Sequence, residues 1–223
     1  MPEAKAATPV SPAAGRLDAL MAAAKAAGGR GPAPVDKWDP PDCGDLDIRI
    51  KADGTWLYMG TPIGRQPLVR LFASVLAREG ARYVLKTPAE KVGITVEDVP
   101  FLAVEMAVED AAESRTPDAR GHERGAGDGR TLVFRTNMDD LVRCGPGHDL
   151  RFARGAGAGE VVPYLHVRHG LEARLTRAAH FDLMEQGEVR DEAGVPMFGV
   201  MSAGLFYPIL PAAELGLEAE HGA

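Results

Sequence analysis

The stretch DIRIKADGTWLYM, residues 47–59, constrains the fold more than any other part of this chain. Two β-prone runs flank Asp53-Gly54, and an Asp-Gly pair between alternating apolar residues is a strong hairpin signal, because a two-residue turn needs positive φ. This two-residue turn is the one expected. It sets Ile50 opposite Leu57 and Ile48 opposite Met59 on one face, with Lys51 opposite Trp56 and Arg49 opposite Tyr58 on the other, a ladder of cations over aromatics. A three-residue turn over Ala52–Gly54, closed by a glycine bulge, slips the register by one and sets Trp56 and Tyr58 beside Ile48 and Ile50 instead.

Downstream, TPIGRQPLVRLFASVLAREG (61–80) places Pro67 near a helix start, Leu68, Leu71, Phe72, Val75 and Leu76 on one stripe, and Gly80 as the stop. A helix of this kind has to be covered by a sheet, and the hairpin's apolar face is the nearest cover. RYVLK (82–86), the alternation of Val92, Ile94 and Val96, and FLAVEMAV (101–108) read as further strands. The second half continues with TLVFRT (131–136), a turn at NMDD, then LVRC, DLRFA and VVPYLHV (161–167). A hairpin turning at His169-Gly170 follows, and Thr176 caps a helix that ends near Gly187. Hairpin followed directly by helix thus occurs at 47–79 and again at 163–186, a repeat of topology and not of residues.

Composition divides the chain. Residues 1–37 read as a flexible Ala/Pro-rich tail and 109–130, polar and without periodicity, as a loop insert, leaving subdomains at 38–108 and 131–210 and a second tail at 211–223. Within the first tail Leu17, Leu20, Met21 and Ala24 fall at helical spacing, a stripe that is marginal in isolation or docks on a partner.

A formal charge of -7 excludes a general nucleic-acid binder, which needs a basic stripe to displace phosphate counterions. Cys43 and Cys144 form no CxxC or Cys/His cluster and read as free thiols in a reducing cytoplasm. No apolar run approaches the ~20 residues that span a bilayer, so neither membrane nor secretory signal is expected.

The chemistry-bearing motifs resolve mostly as structure. GTPIGR lacks the spacing of a phosphate loop and Pro62 interrupts its N–H groups, although Arg65 near a helix start can meet an anion. GVMSAG (199–204) departs from GxSxG and lies in a strand-like run. His166 and His169 would point to opposite faces of a strand, and His180 reads as a core histidine, so no metal or cofactor is expected. Asp42, Asp45, Asp47, Asp139 and Asp140 lie among turn residues, and no catalytic residue is assigned. The ligand-binding candidates are Arg49, Lys51, Trp56 and Tyr58 on the hairpin's mixed face, with Arg65, a combination suited to planar or anionic molecules.

The run CGDLDIRIKADGTWLYMGTPIGRQPLVRLFASVLAREG, followed by YVLKTPAEKVGITVEDVPFLAVEM, resembles the proteobacterial domain-of-unknown-function family twelve eighty-five. The resemblance is specific from residue 38 to about 108 and looser over 131–209, through GLEARLTRAAHFDLMEQG and MFGVMSAGLFYPI. It implies an α+β fold of two similar half-barrel subdomains of antiparallel strands, each wrapped around one main helix. It implies no activity, and a role in signalling or regulation through a bound small molecule is what is suggested for the family. The residues that match its distinctive motif are Cys43, Gly44, Asp45, Asp47, Asp53, Gly54, Trp56, Gly60, Pro62, Ile63 and Arg65.

The expected function is therefore a non-enzymatic cytoplasmic module that binds a small molecule. One alternative is a small hydrolase-like enzyme pairing Asp45 or Asp47 with His148 or His166. The other is a protein-interaction scaffold using the Leu17, Leu20, Met21 stripe or a sheet edge.

Overall fold

The computed structural model describes residues 12–27, 31–110, 129–155, 157 and 160–217. They form two compact units, one running to Glu97 and the other from Asp98, the second also taking in Ala52–Gly54. None of the described helices is long and apolar enough to cross a membrane.

The first unit contains α1 (Pro12–Ala27), β1 (Asp42–Ile50), β2 (Trp56–Tyr58), β3 (Thr61–Pro62), α2 (Gln66–Ser74), β4 (Leu76–Glu79), β5 (Arg82–Lys86) and β6 (Lys91–Val96). Its strands make one six-stranded sheet in the order β3-β2-β1-β6-β5-β4. All neighbours are antiparallel except β1 and β6, which run parallel.

The second unit contains β7 (Phe101–Asp110), β8 (Arg130–Thr136), β9 (Leu141–Arg143), β10 (Leu150–Arg154), β11 (Val161–Arg168), β12 (Leu171–Leu175), α3 (Arg177–Glu185), β13 (Gly187–Glu192), β14 (Val195–Ser202) and β15 (Leu205–Pro211). Its larger sheet, read from one edge, is β9-β8-β7-β12-β11-β10, with β7 and β12 parallel. That is the plan of the first sheet: two three-stranded meanders joined by the first strand of one and the last strand of the other. The fold is α+β with two repeated half-barrel-like subdomains. The helices enter the repeat at different points, α2 between the meanders and α3 after the second, so the two hairpin-helix pairs read from sequence are not equivalent positions.

The first hairpin takes the slipped register. Ile50 pairs with Trp56 and Ile48 with Tyr58, and Lys51 N–H donates to Thr55 O at 2.9 Å to close a three-residue turn. Gly54, at φ +82°, is the sole residue of that turn with positive φ. The energies decide the register. Burying an indole is worth on the order of 5 kcal/mol, about 2 kcal/mol or more beyond the leucine that would take its place in the other register, whereas the choice between turn types involves strain of only ~1 kcal/mol. Trp56 is 2 % exposed and lies with Ile48 and Ile50 in the core. At His169-Gly170 both residues do take positive φ, 47° and 73°, and Arg168 pairs with Leu171 across the expected two-residue turn.

Two helix expectations need correction. α2 stops at Ser74 because Leu76–Glu79 pairs with Arg82–Lys86 as a hairpin, and its buried face is Val69, Phe72 and Ala73. Within the segment read as a tail at 1–37, residues 12–27 form α1, which buries Leu20 and Ala24 and packs on α2. Arg16 Nη2 donates to Cys43 O at 2.8 Å, and Ala33 N–H donates to Ser74 O at 2.9 Å. An alanine-rich helix that would be marginal alone is held by this packing. At the other end Ala212 is buried and Glu214 accepts two bonds from Arg154, so the first part of the expected tail at 211–223 packs on the fold. Strand occupies both ends of the expected 109–130 insert; residues 1–11, 28–30, 111–128 and 218–223 lie outside the described residues.

A charged clasp crosses the first sheet. Asp42 and Asp45, expected in a turn, lie on β1, and Arg82 of β5 reaches both across the intervening β6, at 2.5 and 2.6 Å. A side chain on Gly93 of β6 would collide with Asp45 and Arg82, so glycine is what lets the clasp lie flat. The Arg82 guanidinium, followed by the Gly44 N–H, holds the Asp42 carboxyl below its ordinary range.

In the second unit a buried polar knot ties β14 to the larger sheet. Ser202 Oγ accepts from Leu132 N–H at 2.9 Å and donates to Cys144 O at 2.8 Å, and Ala203 N–H donates to Arg130 O. Cys144 is fully buried, and burial pushes its thiol up to about 11 despite contacts with Tyr207 and Ser202.

Ser202→Ala strands a buried N–H and a buried C=O, each costing about 1–3 kcal/mol unpaired, so a loss of ~2–4 kcal/mol is expected in urea unfolding. At about pH 8, near the ordinary thiol pKa, the native protein is expected to react with a thiol reagent at exposed Cys43 alone, and at Cys144 only on unfolding. Rapid native reaction of both would contradict the packing. In carboxyl NMR Asp42 is expected to titrate low and to rise toward the ordinary range in Arg82→Gln, the Gly44 N–H bond remaining. Because its folded pKa is depressed, its stabilisation is complete above the unfolded value of ~4 and is lost as pH falls through the folded one.

Candidate functional site

Trp56 stands at the start of β2, where pairing with Ile50 turns it inward, and its ring stacks on Phe72 of α2 at 6.4 Å and 20°. The indole body is satisfied by this apolar setting. Its polar end is not: Nε1 is buried and has no hydrogen-bond partner. A buried donor without an acceptor is rare in folded proteins and costs about 1–3 kcal/mol.

The slipped register redistributes the other expected ligand-binding residues. Tyr58 stays on the Trp56 face, opposite Ile48, and is half-buried. Arg49 and Lys51 alternate to the opposite face, where Arg49 lies opposite Leu57 and its Nη1 sits 4.0 Å from Glu97. The expected ladder of cations over Trp56 and Tyr58 is therefore absent. Arg65 is exposed in extended backbone just before α2, where its carbonyl accepts from Leu68 and Val69.

A cation-aromatic ladder does exist, in the second unit. Arg151 of β10 lies over the Tyr164 ring of β11 at 4.2 Å and makes a two-pronged bond to Glu172 of β12, both arms 2.9 Å. Tyr164 OH donates to Asp98 Oδ1 at 3.1 Å, and Arg174 Nη1 is 3.3 Å from Asp98 Oδ2. Burial first, then the Asp98 charge, raises the Tyr164 pKa. The sequence concealed this cluster because a register shift between His166 and Arg168 is needed to bring Tyr164 opposite Arg174.

The acid-base candidates are engaged elsewhere. Asp45 is held by Arg82. His166 Nδ1 lies 2.6 Å from Gly147 O, to which it donates, and its Nε2 accepts from Gly170 N–H at 3.2 Å, so both ring nitrogens are committed to backbone. His148 Nδ1 is 3.2 Å from His166 O, and the two rings stack at 6.1 Å. Burial lowers the pKa of His180, half-buried on α3. Ser202 ends a strand before the Ala203-Gly204 turn, not a nucleophile elbow. Among the described residues no group of three or more His, Cys, Asp or Glu could hold a metal ion.

Comparison with known proteins bears on both halves of the chain. Residues 33–99 match the N-terminal domain model described as "Domain of unknown function (DUF1285)", and residues 119–209 match the C-terminal domain model described as "Protein of unknown function (DUF1285)". A DUF1285 family protein from Silicibacter pomeroyi DSS-3, solved by crystallography, is 44% identical with a TM-score of 0.74, over 88% of this chain and 97% of that one. A second, from Shewanella baltica OS155, is 26% identical with a TM-score of 0.44, over 63% of this chain and 91% of that one. No curated protein matches. With a family domain matched in each half and a 44% identical relative spanning most of its length, the chain belongs to the DUF1285 family.

Proposed function

We propose that this chain is a non-enzymatic module of the cytoplasm that binds a small molecule through Trp56 and acts in signalling or regulation. The observation that carries the reading is the buried Trp56 Nε1–H without an acceptor. A ligand that supplies an acceptor there recovers free energy the unliganded protein forgoes, which is an incentive to bind that a satisfied core lacks. The register supports the chemical class. With Arg49 and Lys51 on the other face, the acceptor meets an indole among Ile48, Ile50 and Phe72, which suits a neutral carbonyl or ring nitrogen better than an anion. The commitment of Asp45 to Arg82 and of His166 to backbone weighs against the hydrolase-like alternative.

Trp56→Phe tests the reading, because it removes the donor while keeping an aromatic ring on Phe72. Native mass spectrometry of gently purified wild type is expected to show an added small mass released on denaturation, depleted at least about tenfold in the variant, as loss of ~1.4 kcal/mol implies. A wild type of bare chain mass, indistinguishable from a folded Trp56→Phe, would overturn it.

A further inference from the structure

β13 is an edge of the three-stranded sheet β13-β14-β15. Among the described residues its backbone bonds run only to β14, so its outer row of N–H and C=O groups faces away from any partner strand. The strand reads Gly187-Glu188-Val189-Arg190-Asp191-Glu192, and from Val189 onward every residue is exposed. Open edges are templates for pairing, and charges along them normally restrict which pairing is allowed.

We propose that this edge pairs with the same edge of a second copy, antiparallel about a two-fold axis through Val189. A two-fold perpendicular to the sheet keeps every side chain on its own face, so the residue at the axis lies opposite itself. Axes at Glu188, Arg190, Asp191 or Glu192 each set like charges directly opposite, which is destabilising. An axis at Gly187 leaves no further residue of β13 opposite β13. The axis at Val189 sets Glu188 opposite the second copy's Arg190, Arg190 opposite its Glu188, and Gly187 opposite Asp191, with the exposed Val189 side chains meeting at the centre.

The geometry within one copy already suits this arrangement. Arg190 Nε lies 2.5 Å from Glu188 Oε1, so the pair occupies one face of the strand; Arg130 Nη2 of β8 also lies 3.9 Å from Glu188 Oε2, and two copies set Glu188 and Arg190 in alternation with an Arg130 behind each Glu188. Arg190 also lies over the Phe206 ring at 5.9 Å, which holds its stem along the sheet. A short edge of this kind buries less than the ~1,200 Å² of stable interfaces, so the dimer is weak, with Kd on the order of 100 µM.

The inference is independent of ligand binding at Trp56. Sedimentation of the full chain across a concentration series is expected to show reversible dimerisation that weakens in high salt. Glu188→Arg and Arg190→Glu each place like charges opposite in a homodimer and are expected to weaken it at least about tenfold. An equimolar mixture of the two variants restores opposite charges at both positions and is expected to recover association as a heterodimer, which also shows that both variants are folded. A wild type monomeric throughout the series, a dimer indifferent to either change, or a mixture that stays monomeric would overturn the proposal.

Discussion

The pairing of Ile50 with Trp56 governs the chemistry of the first unit. One residue of slip is enough to exchange the faces of a strand, and here it exchanges a surface ladder of cations and aromatics for a buried indole. The same slip seats Phe72 of α2 on the indole ring, and so gives the helix its anchor on the sheet. It also leaves Trp56 Nε1–H, among the described residues, as a buried side-chain donor without a partner: the hydrophobic gain from burying the ring outweighs that cost by about 2–4 kcal/mol.

The two sheets share a plan that depends on pairings remote in sequence. In each, two meanders are joined by parallel pairing of a first and a last strand, and parallel neighbours require a crossover connection. In the first unit that crossover contains α2; the Arg82 clasp over Gly93 then fastens β5 to β1 across the strand between them. In the second, α3 follows the last strand and packs on β7 and β12, the parallel pair itself, with Thr176 N–H bonded to Ala103 O at its start. A common sheet topology is thus reinforced by different local devices.

Much of this was legible locally. RYVLK and VVPYLHV are strands because their alternation and β-branched residues leave no competing helical reading, and His169-Gly170 is a two-residue turn because both residues tolerate positive φ. Asp53-Gly54 was ambiguous because the same dipeptide serves a two-residue and a three-residue turn, and the choice is made by burial of Trp56, a tertiary effect. Leu76 fits the helical stripe of α2 equally well as it fits β4, and only pairing with Leu85 decides for strand. Trp56 itself was identifiable as a candidate, but its partners were not. The Tyr164 cluster was hidden behind an irregular register, which no local pattern encodes.

Charge is managed differently around Trp56 and at the sheet edges. In the clusters around Arg82, Arg151 and Arg154, guanidinium and carboxylate groups satisfy one another, whereas among the described residues the buried side-chain group without a partner is an uncharged donor, the indole N–H. Two other edge strands are blunted by shape: β3 is two residues long and contains Pro62, and β15 carries Pro208 and Pro211, which lack the N–H that a further strand would need. β13 has no proline and is guarded by charge alone. A guard made of charge differs in kind from one made of proline, because it rejects registers selectively: alternation of Glu188 and Arg190 about Val189 repels most self-pairings while leaving one unopposed. Sequence pattern at such an edge therefore specifies a partner as well as excluding others.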